Sequence, residues 1–292
     1  MPFVVPSPGW QTLPVARGRV GRRHLGVPLG GAADRGAHAI ANALVGNGNE
    51  VVSLEIAGTG PTLIADDFHS VAIVGAPFEI ACGDRTVEPN SAFAIRAGEV
   101  LRIGGTPIGL RAYLAITGGF RGLQFEMPLN AGVRLEAESN RRYGRNAPEA
   151  WPMTVAEAGM LRILPGLQRD WFEEPSRFEA TTWTVAASSN RMGIRLTGDV
   201  LRRVPREMIS EPVAPGSVQV ANDGQPIILG VDGQTIGGYP KIAHVIDADL
   251  DRLAQLRPGE TIRFRLVDEQ EAETARRQRK MHLDRWITRL RL

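Results

Sequence analysis

The chain has 292 residues, 43% of them hydrophobic, and 34 Lys plus Arg against 32 Asp plus Glu, for a net charge of +2. That length accommodates one large or two medium domains with a real core, and so small a positive surplus excludes a protein that holds nucleic acid by charge. A single cysteine, Cys82, excludes an internal disulfide and zinc-knuckle spacing, and no apolar run approaches the roughly 20 residues of a membrane helix.

The 33 glycines and 20 prolines suit many short strands joined by turns. Residues 1–24, rich in Pro, Gly and Arg, read as an extended arm without the basic and apolar regions of a signal peptide, so a reducing, cytoplasmic setting is expected. Asp34 then stands as a helix N-cap, and Ala37, Ile40, Ala41, Leu44 and Val45 form one apolar helical face that Gly46 stops. From Glu50 the period changes. Val51–Ile56, Thr62–Ala65, Ser70–Val74, Phe78–Ala81, Ser91–Ile95 and Val100–Ile103 are short strands with turn residues between them, which indicates a barrel or sandwich. Arg111–Gly119 adds a strand and a tight turn, and Arg134–Ala150 reads as a charged surface excursion.

Gly159–Pro165 is expected to be the last strand of a first domain, with the junction at Gly166–Arg177. The second domain has strands at Thr182–Ala187, Ile194–Thr197, Val218–Val220, Pro226–Val231, Ile242–Ile246 and Glu260–Leu266. A short helix is expected over Asp247–Leu256 and a terminal helix over Asp268–Leu292, acidic early and basic late as the helix dipole favours. Its apolar stripe is Leu283, Trp286, Ile287 and Leu290. The expected fold is mainly β with a few short helices, divided into residues 1–170, 178–268 and a C-terminal helix over 269–292.

Three stretches carry chemistry. Asp232–Lys241 combines glycines that let a ligand approach the backbone with Tyr239 and Lys241, a donor and a cation near a developing oxyanion; a β-turn with a Tyr-Pro contact is the plainer alternative. Gly237 and Gly238 offer backbone N–H groups to the same point. Lysine occurs only at Lys241 and Lys280, and an ammonium shifts its pKa on burial where a guanidinium does not. In Ser188-Ser-Asn-Arg-Met-Gly193, Asn190 adds a polar group, and Arg191 either holds a carboxylate, phosphate or ureido oxygen bidentately or is a surface turn residue. Ser217 and Gln219 alternate with Val218 and so share one face of a strand; Gln219 and Gln234 each carry the donor and acceptor that read an amide. His24 and His244 flank these segments, but no two histidines have metal-ligand spacing, so no metal site is expected. There is neither a strand–helix Gly-x-Gly-x-x-Gly nor a P-loop.

Several segments together resemble a known family. They are Gly21-Arg-Arg-His-Leu-Gly-Val-Pro28, Gly31-Ala32 with Asp34, Ala41–Asn47, Leu54-Glu55, Gly60-Pro61 and Arg111–Ala115 with Gly118-Gly119. Ser189–Gly198, Ser210-Glu211, Ala214–Gln219, Asp223–Pro226, Gln234–Ala243 and Asp249–Gly259 extend the match through the second domain. They are similar to the biotin-dependent carboxyltransferase family, also called allophanate hydrolase subunit 2-like. It includes the Kip antagonist, which is the C subunit of bacterial 5-oxoprolinase, and half of the carboxyltransferase domain of urea carboxylase.

The resemblance implies two β-barrel-like domains, the second cyclophilin-like, and a Kip-inhibitor-like partner with an active site formed between the two proteins. It implies ATP-dependent opening of 5-oxoproline to glutamate, with a lactam-utilisation subunit also required. The alternatives are a biotin-dependent transfer of carboxyl to urea or an amide, and a non-catalytic binder that regulates the Kip-inhibitor-like partner. It places Lys241, Tyr239 and Arg191 as catalytic, and Gln234, Gly237, Gly238, Gln219, Ser217, Asn190, Asp34 and His24 around the substrate. Leu13–Ala16, Gly30, Gly122–Asn130 and Gly233 depart from the family pattern, so the retained part of the site lies in the second domain.

Overall fold

The computed structural model describes residues 2–137 and 159–291. The chain divides into two compact units, one made of residues 1–18, 34–155 and 282–292, the other of residues 19–33 and 156–281. The charged excursion expected at Arg134–Ala150 lies outside the described residues beyond Ala137, where its first four residues form a strand.

The first unit contains β1 (Pro2–Ser7), β2 (Gln11–Val15), α1 (Arg35–Leu44), β3 (Ser53–Ala57), β4 (Thr62–Ala65), β5 (His69–Gly75), β6 (Ile80–Cys82) and β7 (Arg85–Thr86). It continues with β8 (Ser91–Ile95), β9 (Val100–Ile103), β10 (Arg111–Ile116), β11 (Phe120–Arg121) and β12 (Arg134–Ala137). One sheet has the order β11-β12-β1-β4-β9-β6-β7 and the other β2-β3-β10-β5-β8. Phe3, Val5, Leu63, Leu101 and Ile103 from the first meet Leu54, Ile56, Val71, Ile73 and Leu114 from the second in one core. Every residue of β5 and β10 is buried, because that core covers one face of their sheet and α1 packs on it too. Asp34 caps α1 as expected, its carboxylate accepting from Ala37 N–H at 2.9 Å.

The N-terminal arm is not an arm. β1 and β2 are strands despite their prolines. The β1–β4 register shifts between Val4 and Ser7, where Pro6 falls, and Pro14 lies on β2, an edge strand. A bulge and an edge are the two places where a missing N–H breaks no ladder bond.

The second unit contains β13 (Met160–Pro165), a 3-10 turn (Arg169–Trp171), α2 (Arg177–Ala180), β14 (Trp183–Val185), β15 (Gly193–Thr197), β16 (Glu211–Pro212), β17 (Ser217–Val220) and β18 (Pro226–Leu229). β19 (Ile236–Gly237), β20 (Lys241–Val245), α3 (Leu250–Leu253), β21 (Thr261–Leu266) and the greater part of α4 (Glu269–Arg291) complete it. A closed barrel runs β13-β20-β17-β18-β15-β14-β21, sealed by parallel pairing of β21 with β13. β13, expected to end the first domain, is thus a barrel strand: alternation marks a strand but does not say which sheet takes it. The helix expected over Asp247–Leu256 is a 3-10 turn (Asp247–Asp249) followed by one turn of α-helix, and Asp249 is tied instead to β13 through Arg162 at 2.6 Å. The barrel core centres on Phe178, Trp183 and Phe264, with Phe178 stacked on Phe264 at 4.4 Å between ring centroids. The terminal helix is present; its Ala272 and Ala275 pack on Ile246, Ala248 and Val267, and Trp286 and Leu290 of the expected stripe are buried.

Candidate active site

The candidate site is built on the outer face of the barrel, where β17 and β20 run antiparallel. Val218 and Val220 point into the core, so Ser217 and Gln219 point out. On β20, Ile242, Ala243 and Val245 all belong to the core cluster. Two consecutive inward residues require an irregularity, and the register supplies it: Val218 pairs with Ala243, but Gln219 pairs with Lys241. Ile242 is the extra residue of a bulge. Strict alternation from Val245 would turn Lys241 into the apolar core; the bulge returns it to the outer face, beside Gln219.

Lys241 is 6% exposed, and its ammonium is in direct contact with Glu211 Oε1. Burial pushes the lysine below its ordinary pKa. The same Glu211 oxygen accepts from Gln168 Nε2 at 2.8 Å, while Gln168 Oε1 accepts from the backbone N–H of Lys241 at 3.1 Å. Glu211 stands on the two-residue ribbon β16–β19, opposite Gly237. A Cβ at Gly237 would overlap the Gln219 amide nitrogen, so any larger residue there would displace that side chain. That nitrogen donates to Tyr239 O at 3.3 Å. Lys241, Gln219, Glu211, Gln168 and Gly237 are therefore one polar cluster, with the Tyr239 side chain 37% exposed at its edge.

The other expected residues divide between scaffold and rim. Arg191 is 7% exposed, and its fork is spent within the protein: Nε and Nη2 donate to Asp232 at 2.7 and 3.0 Å, and Nη2 also donates to Gly31 O at 2.7 Å. A bidentate guanidinium engaged in this way ties residues 31, 191 and 232 together. Asn190 closes its own turn, accepting from Met192 N–H and Gly193 N–H at 2.8 and 3.3 Å. Ser217 Oγ accepts from Ala214 N–H at 3.2 Å and lies 3.4 Å from His244 Nδ1. Burial lowers the pKa of His244, against the opposing pull of Asp247. Gly238 is exposed, and a Cβ there would lie 3.1 Å from Ser210 Oγ. Gln234 has an exposed side chain, and its backbone carbonyl accepts from Arg23 Nη2 at 3.0 Å. His24 is exposed on a 3-10 turn. Asp34 lies in the first unit, where it caps α1 and where its N–H donates to Tyr113 OH at 2.7 Å. Tyr113 OH donates in turn to Glu55 at 2.8 Å, and Arg111 pairs with the same carboxylate at 3.2 Å.

Sequence reading missed three members of the second unit's arrangement: Glu211, Gln168 and Arg23. Arg23 Nη2 also donates to Val213 O, so one guanidinium joins both sides of the ribbon beyond the Glu211–Gly237 pair. Glu211 and Arg23 lay within quoted motifs, but nothing local marks either as a partner of a residue 30 or 211 positions away. Among the described residues no group of three or more His, Cys, Asp or Glu is arranged to hold a metal ion, and no helix is long and apolar enough to cross a membrane.

The sequence and the fold that carry this cluster match known proteins over most of the chain. The carboxyltransferase domain model, subdomains A and B, matches residues 25–266, and the chain belongs to that family. It is 36% identical to the C subunit of the 5-oxoprolinase of Haemophilus influenzae, over 91% of this chain and 92% of that one. It is 27% identical to the urea amidolyase of Lachancea kluyveri, over 90% of this chain but 17% of that much longer protein. The crystal structure of Kluyveromyces lactis urea carboxylase superposes with a TM-score of 0.87 at 24% identity, covering 98% of this chain and 29% of that one.

Proposed function

We propose that this chain is an enzyme subunit of the 5-oxoprolinase type, working with a Kip-inhibitor-like subunit and a lactam-utilisation subunit in the ATP-dependent opening of 5-oxoproline to glutamate. The observation that carries the reading is the Lys241 ammonium set beside the Gln219 amide and the Gly237 turn on one face of the barrel. The near full-length match to the C subunit of a 5-oxoprolinase supports it over a urea carboxylase role, where the match covers 17% of the relative.

A lactam presents a C=O and an N–H on the same side. Gln219 offers its amide oxygen and the N–H that it does not give to Tyr239 O, the complementary pair. As water adds to the ring carbonyl, charge gathers on its oxygen; on this reading the Lys241 cation and the backbone N–H groups at Gly237 and Gly238 stabilise it. The ring C–N bond then breaks, leaving a carboxylate and an amine. ATP supplies the driving force in the complex, where a second water takes its terminal phosphoryl group and ADP and phosphate leave. The residues present do not fit a triphosphate: the site's lysine is paired with a carboxylate, and there is no phosphate loop. On this reading ATP is used by the complex and not at this face.

The test is reconstitution from purified subunits with 5-oxoproline and ATP, following glutamate. Omitting this chain should abolish glutamate formation, and Lys241→Met should lower it by about a hundredfold or more, the loss of one oxyanion contact. Normal turnover with Lys241→Met and intact partner binding would favour the regulatory binder. Turnover of urea with carboxybiotin, and none of 5-oxoproline, would favour the carboxyltransferase.

A further inference from the structure

We infer that Glu211, braced by Gln168, is the positioning residue that holds the Lys241 ammonium at the Gln219 face. Three observations meet here. Lys241 is the buried lysine of the barrel, and the bulge at Ile242 delivers it to the outer face with a carboxylate in direct contact. Glu211 is itself anchored twice, through its backbone opposite Gly237 and through Gln168 Nε2 at 2.8 Å. Gln168 is 8% exposed and bonds at both ends, to Glu211 and to the Lys241 N–H, so carboxylate and lysine backbone keep a fixed separation.

The physical need for Glu211 follows from burial. Taking an ammonium out of water favours the neutral amine, and burial does lower the pKa of Lys241. A carboxylate in contact acts in the opposite sense and returns the balance toward the charged form. Without it, the side chain would give up its charge at a lower pH and lose its direction as well, since an uncharged lysine chain has no carboxylate to hold it at one place. Two further groups keep the carboxylate where it acts. Gln168 satisfies the Glu211 oxygen that the lysine also uses, and Arg23, by joining Val213 O to Gln234 O, fixes the strand pair on which Glu211 stands. Ser210 and Gly238 flank that pair, and the nearest titratable side chain along β20 is His244, whose ring faces Ser217.

The consequence for catalysis rests on the reading of Lys241 as a substrate contact; the effect on lysine titration does not. The chain's composition makes the second directly measurable. With lysine only at 241 and 280, protein grown with carbon-13 lysine shows two side-chain spin systems, and Lys280→Arg assigns them. The pH midpoint of Lys241 is then read in the isolated chain. Glu211→Gln, which keeps shape and removes charge, should lower that midpoint by about one to three pH units, the reach of one opposite charge at contact. Gln168→Ala should lower it by less, and the exposed Lys280 should not move. An unchanged or raised Lys241 midpoint in Glu211→Gln would overturn the inference. Should Glu211→Gln fail to fold, an unchanged midpoint in folded Gln168→Ala overturns it equally.

In the reconstituted complex, Glu211→Gln should lose kcat more than KM, and its activity should fall with rising pH at a point shifted down with the lysine midpoint. A merely structural role would lower the apparent kcat through lost protein and leave KM and the pH profile unmoved, and an unmoved profile would count against the inference. A complex that never opens 5-oxoproline, together with a shifted lysine midpoint, would reject the proposed reaction while leaving the role of Glu211 standing.

Discussion

Arg191 and Asp232 provide the sharpest division between scaffold and catalytic roles. The Arg191 side chain is 5% exposed and that of Asp232 26%, with Nε and Oδ2 2.7 Å apart. Removing one partner of a fully buried pair costs about 3–5 kcal/mol, because the other is left charged and unpaired. Asp232 retains some solvent, so the expected loss for Asp232→Ala is nearer about 2–3 kcal/mol. Arg191→Ala also strips the Gly31 carbonyl of a charged donor, and should cost at least as much. At about 2–4 °C per kcal/mol for a chain of this order of size, either variant should melt roughly 4–12 °C below the parent. The double variant should be little worse than the singles, giving a coupling of about 1–3 kcal/mol in a double-mutant cycle read by thermal and urea unfolding. An Arg191→Ala protein with unchanged melting and a raised KM would refute the scaffold argument and return Arg191 to the substrate.

Gly166→Ala tests the support behind β20: the added Cβ would lie 2.6 Å from both Ala243 N and Ile242 C, strand backbone that cannot yield cheaply, so calorimetry should show a loss of about 2 kcal/mol or more. His38, whose ring nitrogens meet Ser53 Oγ at 2.8 Å and Asn49 O at 3.0 Å, has its pKa lowered by burial from 6.5. The unfolded chain therefore binds the proton more readily, and this contribution to stability is present above about pH 6.5 and lost as pH falls through the folded-state value. Urea midpoints measured from about pH 7.5 down to about 5 should decline, and less steeply in His38→Gln; equal slopes would count against the assignment.

Much of the local structure was legible because short-range physics determines it. Asp34 and the 3.6-residue apolar pattern mark α1, and the strands Thr62–Ala65, Ser91–Ile95 and Val100–Ile103 have the expected limits. Prolines hid β1 and β2, because their penalty depends on whether a strand is central, bulged or at an edge, which only the assembled sheet determines. The site followed the same division. Gln219, Gly237 and Lys241 were readable as residue types suited to an amide, and they do come together. The facing of Lys241 was not readable, since period-2 alternation turns it inward and one bulge residue, Ile242, reverses that. Arg191 looked like a substrate clamp because sequence shows a guanidinium but not its carboxylate, Asp232, 41 residues on. Gln168 and Arg23 entered the site through contacts across 73 and 211 residues, beyond any local pattern.

On the proposed function, this barrel face serves the opening of a lactam. The most direct measurement is ATP consumption by the complex that co-purifies with this chain, with 5-oxoproline and urea supplied in turn. ATP hydrolysis driven by 5-oxoproline with equimolar glutamate, and none driven by urea, is the predicted result. ATP hydrolysis driven by urea alone, or a complex indifferent to both, would contradict it.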